Sequence, residues 1–280
     1  MTSACSDYPV GLRDLSDAPE RFRIVGELPD LRRAVSIVGT RRADDEALDF
    51  AYSVAREAVL NGLVVVSGGA IGVDRAAHEG AIDGGGRTVV VLPTGLDSPY
   101  PRANHHLFER AVEAGCLLTE VEDGAAAQPG RFLTRNRLIA ALGRSTVVVQ
   151  APARSGALST ASAAKRLSRP VFAVPASPWD PRGSGNLRLL RNGARICTGP
   201  ADVRPVPPRR GPVPTHRNSG VRGSAVYSAA ARSGAARGEA GGPVPNLPQR
   251  QEALLKEIDV QNPPHCGVPC QGEDHQEVRR

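Results

Sequence analysis

Apolar, β-branched runs that stop at glycine-rich loops and resume as helical patterns set the limits on what this chain can fold into. The clearest lies between Gly62 and Ala81: Val64, Val65 and Val66 read as a buried strand, Ser67-Gly68-Gly69 as a sharp turn, and a helical pattern opens near Gly72. That order leaves backbone N–H groups unpaired at the positive end of a helix dipole, a setting that suits a phosphate. The unit recurs along the chain. Ala34 to Val38 ends in Gly39-Thr40-Arg41 ahead of a helical pattern from Glu46 to Leu60, and Thr88 to Leu92 closes in a turn-rich loop. Cys116 to Thr119, Thr146 to Gln150 and Val171 to Val174 read as further strands. Asn104 to Ala114, Arg135 to Leu142 and Thr160 to Leu167 read as helices, and Arg195-Ile196 as a last edge.

Strands that are apolar on both sides and alternate with helices imply an α/β fold: a doubly wound, mostly parallel sheet covered on two faces. Its ligand site is expected outside the carboxyl ends of the strands, where the glycine loops fall. Residues 1–34 read as a lead-in packed on a core of residues 35–203. Prolines and then a Ser/Ala/Gly/Arg stretch make 204–246 a disordered linker, and in 247–280 only Leu247 to Val260 is amphipathic enough for a helix.

The net charge of +6 is weak evidence for a nucleic-acid partner, because residues 1–202 carry 24 Lys/Arg against 22 Asp/Glu. Only Lys165 and Lys256 are lysines, which coding bias alone accounts for equally well, yet a guanidinium fork suits bidentate phosphate contacts. Five scattered cysteines and the lack of a basic-then-apolar leader read as a reduced, cytoplasmic protein. No apolar run approaches the roughly 20 residues needed to span a bilayer, so no membrane role is expected.

Several residues are candidates for chemistry. Thr40 and Arg41 put a hydroxyl and a guanidinium at a strand end, where they hold an anion or simply lie on the surface. The loop from Ser67 to Asp74 lacks both the Walker ending and the Gly-x-Gly-x-x-Gly spacing, so no bound ATP or NAD is expected, nor any other cofactor. Asp74 reads as a cap of that loop, with His78 four residues on; the alternative is an acid–base pair. Glu120, at another strand end, forms with Asp74 the nearest thing to a paired-carboxylate site. Arg135, Asn136 and Arg137 read as the start of a helix, where cations oppose the dipole unless an anion sits among them, and Phe132 is placed to stack on a base. Ser155 and Gly156 precede the next helix as a second anion cradle or an ordinary cap. His265, Cys266, Cys270 and His275 lack paired Cys-x-x-Cys units, and no metal site is expected.

Together these motifs resemble the DNA-processing protein A (DprA, or Smf) family. The resemblance is carried by Ile37-Val-Gly-Thr-Arg41, Ser67-Gly-Gly-Ala-Ile-Gly-Val-Asp74 with Ala77-His78, Arg87-Thr-Val-Val-Val-Leu92 and Gly95-Leu-Asp97 with Tyr100-Pro101 and Asn104. Thr119-Glu120, Phe132 with Arg135-Asn-Arg137, Ser155-Gly-Ala-Leu-Ser-Thr160 and Gly185-Asn186 with Gly193-Ala194 continue it in family order to about residue 198. It implies an extended Rossmann-like core, a homodimer, and a non-enzymatic role in protecting single-stranded DNA and loading the RecA recombinase during natural transformation. The DNA-binding role is carried to Gly39, Thr40, Arg41, Ser67, Gly68, Gly69, Gly72, Arg87, Asn104, Phe132, Arg135, Asn136, Arg137, Ser155 and Gly156, with Asp74, His78 and Glu120 structural. Ser67-Gly-Gly-Ala and Thr119-Glu120 depart mildly from the family pattern, and beyond the core only Leu247 to Val260 resembles the first helix of a C-terminal winged-helix domain. Two other readings stay open: a sensor of a nucleotide-derived ligand, and a nucleotide N-glycosidase of the lonely-guy type, although that family's Pro-Gly-Gly-x-Gly-Thr run is missing.

Overall fold

The computed structural model describes residues 8–203; the expectations for 204–246, for 247–280 and for the His/Cys set of the tail lie outside the described residues. The strands are β1 (Arg23–Gly26), β2 (Ala34–Val38), β3 (Val64–Ser67), β4 (Thr88–Val91), β5 (Gly115–Thr119), β6 (Ser145–Val148), β7 (Val171–Ala173) and β8 (Arg195–Ile196). They form one sheet in the order β1-β5-β4-β3-β2-β6-β7-β8. Every pairing is parallel except that of β1 with β5. The chain starts its parallel part at β2, winds outward through β5, and returns to β6 on the other side of β2. The strand order therefore reverses between β2 and β6, and an open parallel sheet leaves a crevice at such a reversal.

Helices α2 (Asp45–Leu60), α3 (Val73–Asp83) and α4 (His105–Ala114) pack in sequence on one face. On the other lie α1 (Val10–Arg13), α5 (Pro129–Leu142) and α6 (Ala157–Arg166), while α7 (Ser184–Arg191) packs on β7. The strand alternation matches: Val89 and Val91 join the α5 and α6 cluster, whereas Val90 and Leu92 meet Phe108 and Ala111 of α4. At the start of α2, Asp44 accepts from the Ala47 N–H at 2.9 Å, with Asp45 and Glu46 in the first turn favouring the dipole. Among the described residues no helix is long and apolar enough to cross a membrane.

Two features differ from the sequence expectation. Part of the lead-in is a strand: β1 pairs antiparallel with β5, Arg23 opposite Thr119, and closes the sheet's edge. Upstream of it Tyr8, Leu12 and Phe22 are buried in the core. Arg169, itself buried, ties this segment down by donating to the carbonyls of Ala140, Ala141 and Gly143 at the end of α5 and to Gly11 O and the Asp14 carboxylate. A cation there satisfies carbonyls that a helix end leaves without partners. The second difference is that α5 begins at Pro129, not near Arg135. Proline fits the first helical position because the missing N–H has no partner there in any case.

Candidate nucleic-acid interface

A cleft of about 710 Å³ opens at the β2/β6 reversal, within the range of roughly 300–1,000 Å³ typical of ligand sites. Three loops build its rim. Gly39, Thr40, Arg41 and Arg42 follow β2, Ala70 follows β3, and Pro152, Arg154, Ser155 and Gly156 follow β6; the first two turns of α5 supply Phe132, Arg135 and Asn136. Arg41, Arg42 and Arg154 are exposed, and among the described residues none of the three enters an ion pair. The Arg41 guanidinium lies 4.7 Å from the centre of the Phe132 ring, and Tyr100 meets the same ring edge-on at 5.7 Å between centroids. The cation is thereby held over an aromatic face with its N–H groups free for an anion. A smaller recess beside it is lined by Gly68, Ile71 and Tyr100.

The glycine loop after β3 is not the empty anion cradle that its sequence implies. Asp74, buried in the first turn of α3, turns back and accepts from the N–H groups of Gly68 at 3.1 Å and Ala70 at 3.4 Å. A carboxylate of the chain thus fills the place expected for a phosphate. Burial raises the Asp74 pKa, opposed by the nearby Arg135 guanidinium and by these amides. Gly72 allows the close fit: its φ is +85°, and a Cβ would stand 2.5 Å from the Thr40 carbonyl oxygen.

Arg135 is 4% exposed and donates to the carbonyls of Gly68, at 2.7 Å, and Val91. It is the seventh residue of α5, beyond the first turn, and the conflict with the dipole that suggested a bound anion does not arise. Burial, with Arg41 adding repulsion, pushes its pKa down to about 10, against the pull of Asp74. A Cβ at position 68 would come within 2.6 Å of the guanidinium, so any larger residue there would have to displace Arg135 from its carbonyls. Asn136 is likewise engaged, donating to Gly156 O at 3.2 Å and Ser159 Oγ at 2.7 Å, which ties α5 to the loop carrying Ser155 and Gly156. Ser155 Oγ accepts from the Ala157 N–H at 3.3 Å.

Other expected site residues are placed elsewhere. Ser67 is fully buried and donates to Ile37 O at 2.6 Å, joining β3 to β2. Asn104 is buried with its amide on Gly69 O at 2.8 Å, and it shapes the loop rather than facing the cleft. Gly69 and Gly72 do not line the cleft; they let the loop turn beneath it. Arg87 lies just before β4, at the amino end of a strand and hence on the opposite rim of the parallel sheet, paired with Glu27 at 2.9 Å. Arg137 is held by Glu120 at 2.7 Å and Asp17 at 2.8 Å, outside the cleft. The Asp74 and Glu120 carboxylates are thus committed to separate partners, and only Asp74 lines the cleft.

His78 does not meet Asp74 either. Fully buried, its Nδ1 lies 2.7 Å from Thr88 Oγ1, whose own proton goes to Val65 O at 3.0 Å, so the ring donates through Nδ1. Burial, reinforced by Arg135, pushes its pKa down to about 3. A histidine held neutral contributes stability that is complete above its unfolded pKa near 6.5 and is lost as pH falls toward the folded value. Between those limits the expected slope approaches about 1.4 kcal/mol per pH unit. Denaturant melts from neutral pH down to about 5 should show it in the wild type and not in His78→Leu; parallel curves would refute the assignment.

Arg42, Arg154 and Tyr100 were not expected at the site. The signal was available: each lies in a loop at the carboxyl end of a strand, and Arg42 directly follows Arg41.

Fold and cleft together define an open α/β protein of the Rossmann-like type whose switch-point crevice is lined by exposed arginines, without ion pairs among the described residues, and by aromatic rings. More particularly, the chain belongs to the family described as DNA recombination-mediator protein A, whose model matches residues 1–205. It is 39% identical over 202 residues to Protein Smf of Synechocystis sp., which covers 70% of this chain and 50% of that one. It is 44% identical over 171 residues to a putative DNA processing protein DprA of Mycobacterium tuberculosis, covering 61% and 44%. The matched part is therefore about half the length of these relatives. The X-ray structure of DNA processing protein A from Streptococcus pneumoniae superposes with a TM-score of 0.69 at 36% identity, covering 72% of this chain and 71% of the other. A Helicobacter pylori DNA processing protein A structure, described for its single-stranded DNA binding mode, gives 0.65 at 33%, covering 71% and 91%.

Proposed function

We propose that this chain binds single-stranded DNA across the β2/β6 cleft, phosphates on Arg41, Arg42 and Arg154 and a base against Phe132. The observation that carries this reading is the trio of unpaired guanidinium groups around a cleft with an aromatic floor. A duplex keeps its bases stacked, whereas a single strand can offer phosphate and ring face together. Gly39, Thr40, Asn136, Ser155 and Gly156 shape the wall, and Ser67, Gly68, Gly69, Gly72, Asn104 and Arg135 hold the loops in place. The protein then acts without catalysis, as a cytoplasmic homodimer that protects incoming single strands and passes them to a RecA-type recombinase in natural transformation. Support for the DNA partner comes from the family and from the Helicobacter pylori relative.

Fluorescence anisotropy with labelled oligo-dT and with a duplex of equal length tests it. Tight, salt-sensitive binding of the single strand is expected, with the duplex much weaker. Phe132→Ala should cost about 1–3 kcal/mol of affinity while leaving the fold intact. Equal affinity for both DNAs would overturn the single-strand reading, and binding of a mononucleotide but not of the oligonucleotide would favour the sensor reading instead.

A further inference from the structure

Trp179 is the single tryptophan of the chain, and it is 83% exposed. One exposed aromatic is unremarkable by itself; its position is what matters. The segment 174–183 leaves the carboxyl end of β7, next in the sheet to β6; one tether fixes it to the basic rim of the cleft and a second fixes α7, which follows it. Arg182 bridges Asp180 at 3.0 Å and Asp44 at 2.9 Å, and Asp44 stands two residues beyond Arg42. Arg188 of α7 donates to Ala153 O at 3.1 Å, beside Arg154. The segment is also held internally. Asp180 donates its N–H to Ser177 O at 3.0 Å, its carboxylate accepts from the Arg182 N–H at 2.9 Å, and Ser184 Oγ donates to Pro181 O at 2.8 Å. Pro175, Pro178 and Pro181 restrict φ at three further positions. An indole presented on such a loop loses little further freedom when a ligand covers it.

Resting on the reading of the cleft as a single-strand site, we propose that Trp179 is a second stacking platform, on which a base beyond the cleft settles after the strand has passed Arg42 and Arg154. The immediate neighbours of the indole in sequence are Ser177, Pro178, Asp180 and Pro181. Arg182 pairs with both carboxylates near the path, Asp44 and Asp180, and offsets one of their two charges.

Because Trp179 is alone, its emission reports on itself. Full-length protein is titrated with oligo-dT of about twelve nucleotides, binding being followed separately by anisotropy of a labelled strand. Quenching of the tryptophan emission that saturates together with the anisotropy is expected. Trp179→Ala should bind that strand about 5- to 150-fold more weakly, and Trp179→Phe should recover most of the loss. Full binding with unchanged emission, or wild-type affinity in Trp179→Ala, overturns the platform and leaves the cleft reading intact. No binding of the strand at all overturns both. Emission that changes with protein concentration in the absence of DNA assigns Trp179 to a contact between copies, and also overturns the proposal.

Discussion

Arg135→Ala is expected to destabilise the protein by about 3–5 kcal/mol, because two buried carbonyls lose their donor and the buried Asp74 carboxylate loses a nearby opposite charge. For a domain of this size that lowers Tm by roughly 6–20 °C. The guanidinium joins three elements at once: it is carried by α5, it satisfies the carbonyls of Gly68 and Val91 beyond β3 and in β4, and it lies beside the buried Asp74. Without it, Asp74 keeps its two amide donors but loses the Arg135 cation that opposes its desolvation. Arg135→Lys should rescue only in part, because a point charge cannot bridge two carbonyls as a planar fork does. In a double-mutant cycle, Asp74→Asn added to Arg135→Ala should cost less than the sum of the separate losses, since the orphaned charge is gone. Thermal melts and denaturant titrations of the four proteins measure this. An Arg135→Ala protein that melts with the wild type would mean that the buried guanidinium does not hold the loop.

The core was legible because its signals are local. Continuous apolar runs at 64–66 and 88–92, each closed by turn residues, admit little other than buried parallel strands, and the helices between them show their spacing plainly. What escaped was decided by distant contacts. Strand β1 is four residues long and half-exposed, and it exists because β5 offers it an open edge. The start of α5 was hidden by Pro129-Gly130, a pair that reads as a break although proline suits a first turn. The site fared unevenly for a related reason. Sequence identifies a residue capable of binding phosphate but not which way its side chain points. Ser67, Asn104, Arg135 and Arg137 are therefore spent on carbonyls and carboxylates of the chain itself. Arg41 and Phe132 remained at the cleft, and Arg42 and Arg154 joined them because the loops at strand ends converge there. The glycine loop makes the point most sharply. Its amides face the expected spot, yet the carboxylate they hold is that of Asp74.

If the rim arginines meet phosphates, the triple variant Arg41→Ala, Arg42→Ala, Arg154→Ala should lose most of its affinity for single-stranded DNA without losing stability. The two effects separate because the side chains are exposed and none enters an ion pair among the described residues. Each charged hydrogen bond removed is worth about 1.5–3 kcal/mol before compensation, so a fall of at least about 100-fold is expected. The salt dependence is the sharper reading. Each phosphate contact contributes about 0.7 to the slope of log K against log salt on a single strand, and three lost contacts should flatten it by roughly 2. A side chain that merely shapes the cleft would weaken binding without changing that slope. Anisotropy titrations at several salt concentrations, with Arg87→Ala on the opposite rim as the control expected to behave as wild type, distinguish these cases. Should Arg87→Ala flatten the slope while the triple variant keeps it, the strand follows the amino ends of the sheet and the β2/β6 cleft is not its path.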